Sequence, residues 1–178
     1  MFKLVPLAFS ALFVLGTATA GSHPDACVCS RYAPHKGPKP STPLTVVYTN
    51  KHYRFRFYLP QDWNGFSIVA NSWTGGVREK SGQLVADMIE CGPQITIRHP
   101  LWTGHRPYKD IPIMVFTHAQ WKLAANEQMS VSAAPIPPIE IGRNRKYVFA
   151  LPPRWSVGDE LGYEEVIEVI QQNPLHTF

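Results

Sequence analysis

Along Ile111 to Trp121, IPIMVFTHAQW, the apolar positions do not alternate: Ile113, Met114, Val115 and Phe116 occupy both faces of an extended segment. Successive side chains of a strand point to opposite faces, so this stretch is expected to be a central strand covered on both sides, starting at Pro112. Thr117 then meets the requirements of a helix N-cap, with Gln120 placed to reach back and close a capping box. Phe116 and Trp121 have the spacing of a hydrophobic staple over that turn. The helix is expected to fade near Met129.

Elsewhere the pattern is of short, punctuated strands. In Tyr53 to Leu59 the odd positions are apolar, while Arg54, Arg56 and Tyr58 share the other face, which is a strand with one wet side ended by Pro60. Leu44 to Tyr48 precedes it across the turn Thr49 to His52, and Asp62-Trp63-Asn64-Gly65 turns the chain into a strand from Phe66 to Trp73. Gly75 to Ser81 is polar and reads as a loop. Leu84 to Glu90 fits a short strand or a helical turn equally, and Gln94 to His99 alternates as a further strand. Ala133 to Pro138 reads as extended, and Gly142 to Arg145 as a hairpin turn joining Ile139–Ile141 to Lys146–Leu151. Tyr163, Val166, Ile167 and Ile170 then recur at helical spacing, with Glu164, Glu165 and Glu168 off that face. The expected fold class is α+β, a mainly antiparallel sheet flanked by helices.

The chain of 178 residues contains 17 prolines, about twice the average usage of ~5%, which disfavours long helices. Met1 to Ala20 combines Lys3, an apolar run from Leu4 to Leu15 and Ala18-Thr19-Ala20, the pattern of a cleaved signal peptide. The run is shorter than the ~20 residues a membrane span needs. Localisation is therefore expected to be secreted or periplasmic, with no transmembrane segment in the mature chain. Gly21 to Pro43, with five prolines, reads as an extended tether, and residues 44–178 as one domain. The formal charge is +4, or +3 without Lys3, which suits an anionic surface polymer, while export argues against nucleic acid.

Candidate chemistry is sparse. There is no G-x-S-x-G elbow, no H-E-x-x-H helix and no glycine-rich phosphate loop, which lowers the expectation of an enzyme without closing it. His99, His105 and His118, with Asp110, flank the loop leading into the two-sided strand and offer a zinc-ligand set. Their irregular spacing favours the plainer reading, with His99 at a strand end, His105 solvated and His118 at the first helical position. Of the five tryptophans, Trp102 in RHPLWTGHRPY has the polar and cationic neighbours of a sugar-stacking platform, although a plug at the sheet edge is the simpler account. Cys27, Cys29 and Cys91 are an odd set. A bridge across Val28 alone would strain the Cα separation, so Cys91 is expected to pair with Cys27 or Cys29. Cleavage after Ala20 would expose Gly21-Ser22-His23, whose amine, two amide nitrogens and imidazole suit square-planar Cu(II) or Ni(II). Cys27 and Cys29 would add soft ligands for Cu(I), whereas cleavage after Ala18 would destroy the site.

The segment YTNKHYRFRFYLPQDW, Tyr48 to Trp63, resembles the opening hairpin of exported domains of the PsbP/Mog1-like class. IRHPLWTG, DIPIMVFT and KYVFALPPRW are similar to small exported bacterial proteins of no known activity. The chain departs from the pattern at Arg54 and Arg56, where small residues are usual. The resemblance implies an α/β/α sandwich that binds or assists other proteins and has no catalytic centre.

Three functional readings follow. The first is a non-catalytic binding or accessory domain whose partner is an envelope protein or anionic surface polymer, contacted by Arg54, Arg56, Tyr58 and Trp102. The second is a hydrolase or metal enzyme built on residues 98–110. The third is copper or nickel binding at the mature N-terminus.

Overall fold

Ile111, Ile113 and Val115 are buried among one set of apolar side chains, and Met114 and Phe116 among another, so β5 (Ile111–Thr117) is covered on both faces. This is seen in a computed structural model that describes residues 41–79, 84–133, 136–158 and 160–178, all within one compact unit. The expected signal peptide, nearly all of the expected tether, and the expected metal ligands His23, Cys27 and Cys29 lie outside the described residues. No described helix is long and apolar enough to cross a membrane.

The other strands are β1 (Leu44–Asn50), β2 (Phe55–Pro60), β3 (Ser67–Arg78), β4 (Leu84–Arg98), β6 (Met129–Ser130), β7 (Ile139–Arg143), β8 (Tyr147–Leu151) and β9 (Leu175–Thr177). The helices are α1 (His118–Ala125) and α2 (Tyr163–Gln171). The strands form a six-stranded sheet in the order β6-β3-β4-β5-β8-β7 and a three-stranded sheet in the order β1-β2-β9. All of their ladders are antiparallel, so the fold is α+β and mainly antiparallel.

Alternation decides which side each residue serves. Phe149 and Leu151 of β8 join Phe55, Phe57 and Leu59 of β2 and Val166 and Val169 of α2 in the larger core. Val148 and Ala150 point the other way, to Trp73 and Ala124 of α1. At roughly 1.5–3 kcal/mol for each large apolar side chain fully buried, the larger core dominates the stabilisation and holds the two sheets together. Trp73 satisfies its one polar atom by donating from Nε1 to the Val115 carbonyl at 3.0 Å.

The cap of α1 is as expected. Gln120 N donates to Thr117 Oγ1, Thr117 N donates to Gln120 Oε1 at 2.9 Å, and the Phe116 and Trp121 rings meet edge to face. The far end is earlier than expected. The chain turns left-handed at Glu127 (φ 58°), Gln128 N closes on the Leu123 carbonyl at 2.9 Å, and Met129 leaves as β6.

Four further expectations are corrected. Gly75 to Arg78 belong to β3, not to a loop, and the two segments from Leu84 to His99 are one strand, β4, passing through Gly92 and Pro93. Pro93 is tolerated because the β4–β5 ladder begins only at Gln94, so its missing N–H costs no bond to β5. β2 starts at Phe55, because Arg54 is left-handed (φ 59°) in the turn closed by Tyr53 N donating to Asn50 Oδ1. In α2 the fully buried residues are Val166 and Val169, and β9 follows, seating Leu175 opposite Phe57.

At the other side of the large sheet, β6 pairs with β3 only at Gly76 and Val77. Among the described residues no strand lies beside the outer edge of β3 from Ser67 to Gly75.

Candidate functional site

Two turns from different sheets are tied together by one side chain. Asn144, in the β7–β8 turn, accepts from Lys146 N and Tyr147 N at 2.9 Å each through Oδ1. Its Nδ2 donates to the Tyr53 carbonyl in the β1–β2 turn at 2.8 Å. The Tyr53 and Tyr147 rings meet edge to face at 5.3 Å, and His118 Nε2 lies 2.9 Å from the Asn144 carbonyl oxygen. Phe178 N donates to the Arg54 carbonyl at 3.2 Å, which brings the C-terminal strand against the same turn.

Between these elements lies an open groove of about 780 Å³ lined by His52, Arg54, Arg145, Lys146, Tyr147 and Phe178, with Asn144 and Thr177. Arg56 does not line the groove but lies over the ring of Phe178, which does, 5.2 Å from its centroid. Among the described residues Arg54, Arg145 and Lys146 have no acidic partner, because the hairpin's carboxylate, Glu140, is held by Arg143. Burial, reinforced by Tyr147, raises the pKa of Tyr53 in the β1–β2 turn. Unpaired cations on an open, partly aromatic wall suit an anionic group approaching from solvent.

The three residues expected to form one strand stripe do not share a strand face, because Arg54 precedes β2 in a left-handed turn. Arg56 is exposed on the outer face of the small sheet, and Tyr58 is half-buried against His176, but Arg54 sits in the turn and points its role into the groove. Arg145 and Lys146, missed as contacts, were visible as a charge cluster in Arg143-Asn144-Arg145-Lys146. Nothing local marked Asn144 as the tie, because Tyr53 is 91 residues away.

The three histidines are separated. The pairing of Ile97 with Ile111 puts His99 beyond the first end of β5, whereas His118 follows Thr117 at the other end. No group of three His, Cys, Asp or Glu side chains suited to a metal occurs among the described residues. His105 is exposed, and Cys91 is exposed and free among the described residues, while both cysteines proposed as its partner lie outside them.

His99 is a core residue, 2% exposed, stacked on Tyr108 at 3.9 Å and met edge-on by Trp63. Its Nδ1 accepts from Leu101 N at 3.1 Å, and its Nε2 is buried without a hydrogen-bond partner. Burial lowers its pKa, against the opposing pull of Glu165 and Asp62. Glu165, expected off the packed face of α2, instead accepts from Trp63 Nε1 at 2.6 Å and from the Tyr108 hydroxyl at 2.5 Å. Burial and that carboxylate push the Tyr108 pKa well up. Trp102 carries the Arg98 guanidinium over its ring at 3.8 Å, and Arg98 is held bidentately by Asp110, with Nη2 to Oδ2 at 2.7 Å.

Comparison with family models, with curated proteins and with solved structures gave no match.

Proposed function

We propose that the chain is an exported, non-catalytic binding domain that engages an anionic surface polymer or an anionic face of an envelope protein through the basic groove. The observation that carries the reading is that Arg54, Arg145 and Lys146 line one open groove without carboxylate partners among the described residues. Asn144 holds them in register, so little ordering of the backbone is left for the moment of binding. The α/β/α arrangement of the PsbP/Mog1-like class belongs to the same proposal. A sheet with a helix against each face supports it, and the three-stranded sheet beside α2 departs from it.

Co-sedimentation of the mature protein with phosphatidylglycerol vesicles, phosphatidylcholine vesicles and purified anionic wall polymer tests the groove. Binding is expected to the anionic partners only and to weaken with salt, since the groove is open to solvent. Each serine replacement at Arg54, Arg145 and Lys146 should lower affinity about fivefold, equivalent to ~1 kcal/mol per cation near an anionic surface. Equal binding to phosphatidylcholine, or a triple variant that binds as the parent does, would overturn the reading.

A further inference from the structure

A second concavity lies at the end of β5 opposite the α1 cap. It is a cleft of about 420 Å³ lined by Arg98, Trp102, Tyr108, Lys109, Asp110, Arg154, Trp155 and Glu160, with three prolines between them. Its charges are organised differently from those of the groove. Arg98 is paired with Asp110, and Lys109 Nζ donates to Glu160 Oε2 at 3.0 Å, so four of the five charged groups are already neutralised in pairs. Arg154, exposed in a left-handed turn (φ 58°), has no acidic partner among the described residues. Trp155 Nε1 is a buried donor with no hydrogen-bond partner.

We infer that this cleft binds a saccharide carrying a carboxylate, a uronic-acid type of residue. Trp102 has the Arg98 guanidinium on one face, and among the described residues no other aromatic ring packs on it. Half-buried Trp102 lines the cleft and offers the indole that the apolar C–H face of a pyranose ring packs against, with Tyr108 and Trp155 as the further aromatic residues of the lining. The paired ions present donors and acceptors side by side, the pattern that sugar hydroxyls match because each hydroxyl is both. The unpaired Arg154 then selects a ring bearing one negative charge, with the fork geometry that suits a carboxylate. A phosphate-rich ligand fits less well, since among the described residues of the cleft Arg154 alone is left unpaired to meet its several charges. A purely apolar ligand would strip water from both ion pairs with nothing in return. The volume is near the lower end of the ~300–1,000 Å³ range of ligand pockets, which corresponds to a short piece of a chain rather than a long segment.

Tryptophan fluorescence of the mature protein titrated with trigalacturonic acid, and separately with the neutral trisaccharide maltotriose, tests the cleft. Saturable quenching by the acidic sugar is expected, with at least tenfold weaker response to the neutral one. Trp102→Ala should weaken acidic-sugar binding at least tenfold. Arg154→Ser, a change on an exposed turn that leaves the core alone, should bring the two sugars to similar affinity. The double change Arg145→Ser with Lys146→Ser should leave the titration unchanged, because those residues belong to the other groove. Absence of saturation by trigalacturonic acid, an unaltered Trp102→Ala titration, retained acid preference in Arg154→Ser, or loss of binding in the Arg145/Lys146 variant would each overturn the inference. Loss in that last variant would point to the groove of the first proposal instead, so the two fail separately.

Discussion

At the scale of single residues, His99 is the clearest source of a measurable pH effect. Its folded pKa is lowered, first by burial and against Glu165 and Asp62, while in the unfolded chain it titrates near its ordinary value of about 6.5. Below that pH the unfolded chain binds the extra proton and the folded chain resists it, so stability is fully present above about pH 6.5 and is lost as pH falls through it towards the lower folded value. Urea unfolding at pH 7.5 and 5 should show a lower midpoint at the acid pH, and His99→Phe should reduce the difference. A variant with the parent's pH dependence would assign the loss to other groups. The partner residues of His99 also show what could be read ahead of the structure. Its position at a strand end was legible, because Gln94 to Arg98 alternates. Its burial was not, because that depends on Trp63 and on Tyr108 with Glu165, which are brought together only by the packing of α2.

At the scale of elements, the legible parts were those whose signal is local. Thr117 and Gln120 lie three residues apart and close their box as the spacing requires. The double-sided run of β5 needs no distant information either. The β3–β4 hairpin was obscured because exposed positions on both faces of β3, including Asn71 and Ser72, dilute the period of two, and because Gly92 and Pro93 look like a break. Gly92 has a specific reason to be there. A Cβ at that position would stand 2.6 Å from ring atoms of Trp73, its cross-strand neighbour, so the indole lies flat on the bare backbone. Gly92→Ala should therefore force Trp73 off the smaller core and destabilise by about 1–3 kcal/mol, the usual cost of overpacking. Equilibrium denaturation would measure this, and a loss below about 0.5 kcal/mol would mean that the ring shifts freely.

At the scale of the molecule, both concavities are built where elements distant in sequence meet, so the loop 98–110 could be singled out as one wall of the cleft, while the wall opposite it and the groove as a whole could not. Trp102, Arg54 and Arg56 could be singled out by type, but Asn144, Arg154 and Trp155 acquire their roles from turns that the chain reaches late. One further whole-molecule property follows from the bare side of β3. Ser67 to Gly75 reads SIVANSWTG, without a lysine, a glutamate or a proline, and its outward N–H and C=O groups face no described strand. Natural sheets commonly guard such a margin with charge, because an unguarded one is a template on which another chain can add itself. The solution behaviour of this protein should consequently be set by concentration. Sedimentation velocity of residues 41–178 should show a sedimentation coefficient that rises with protein concentration, and Ser72→Lys, placing a charge on the exposed margin, should hold it at the monomer value.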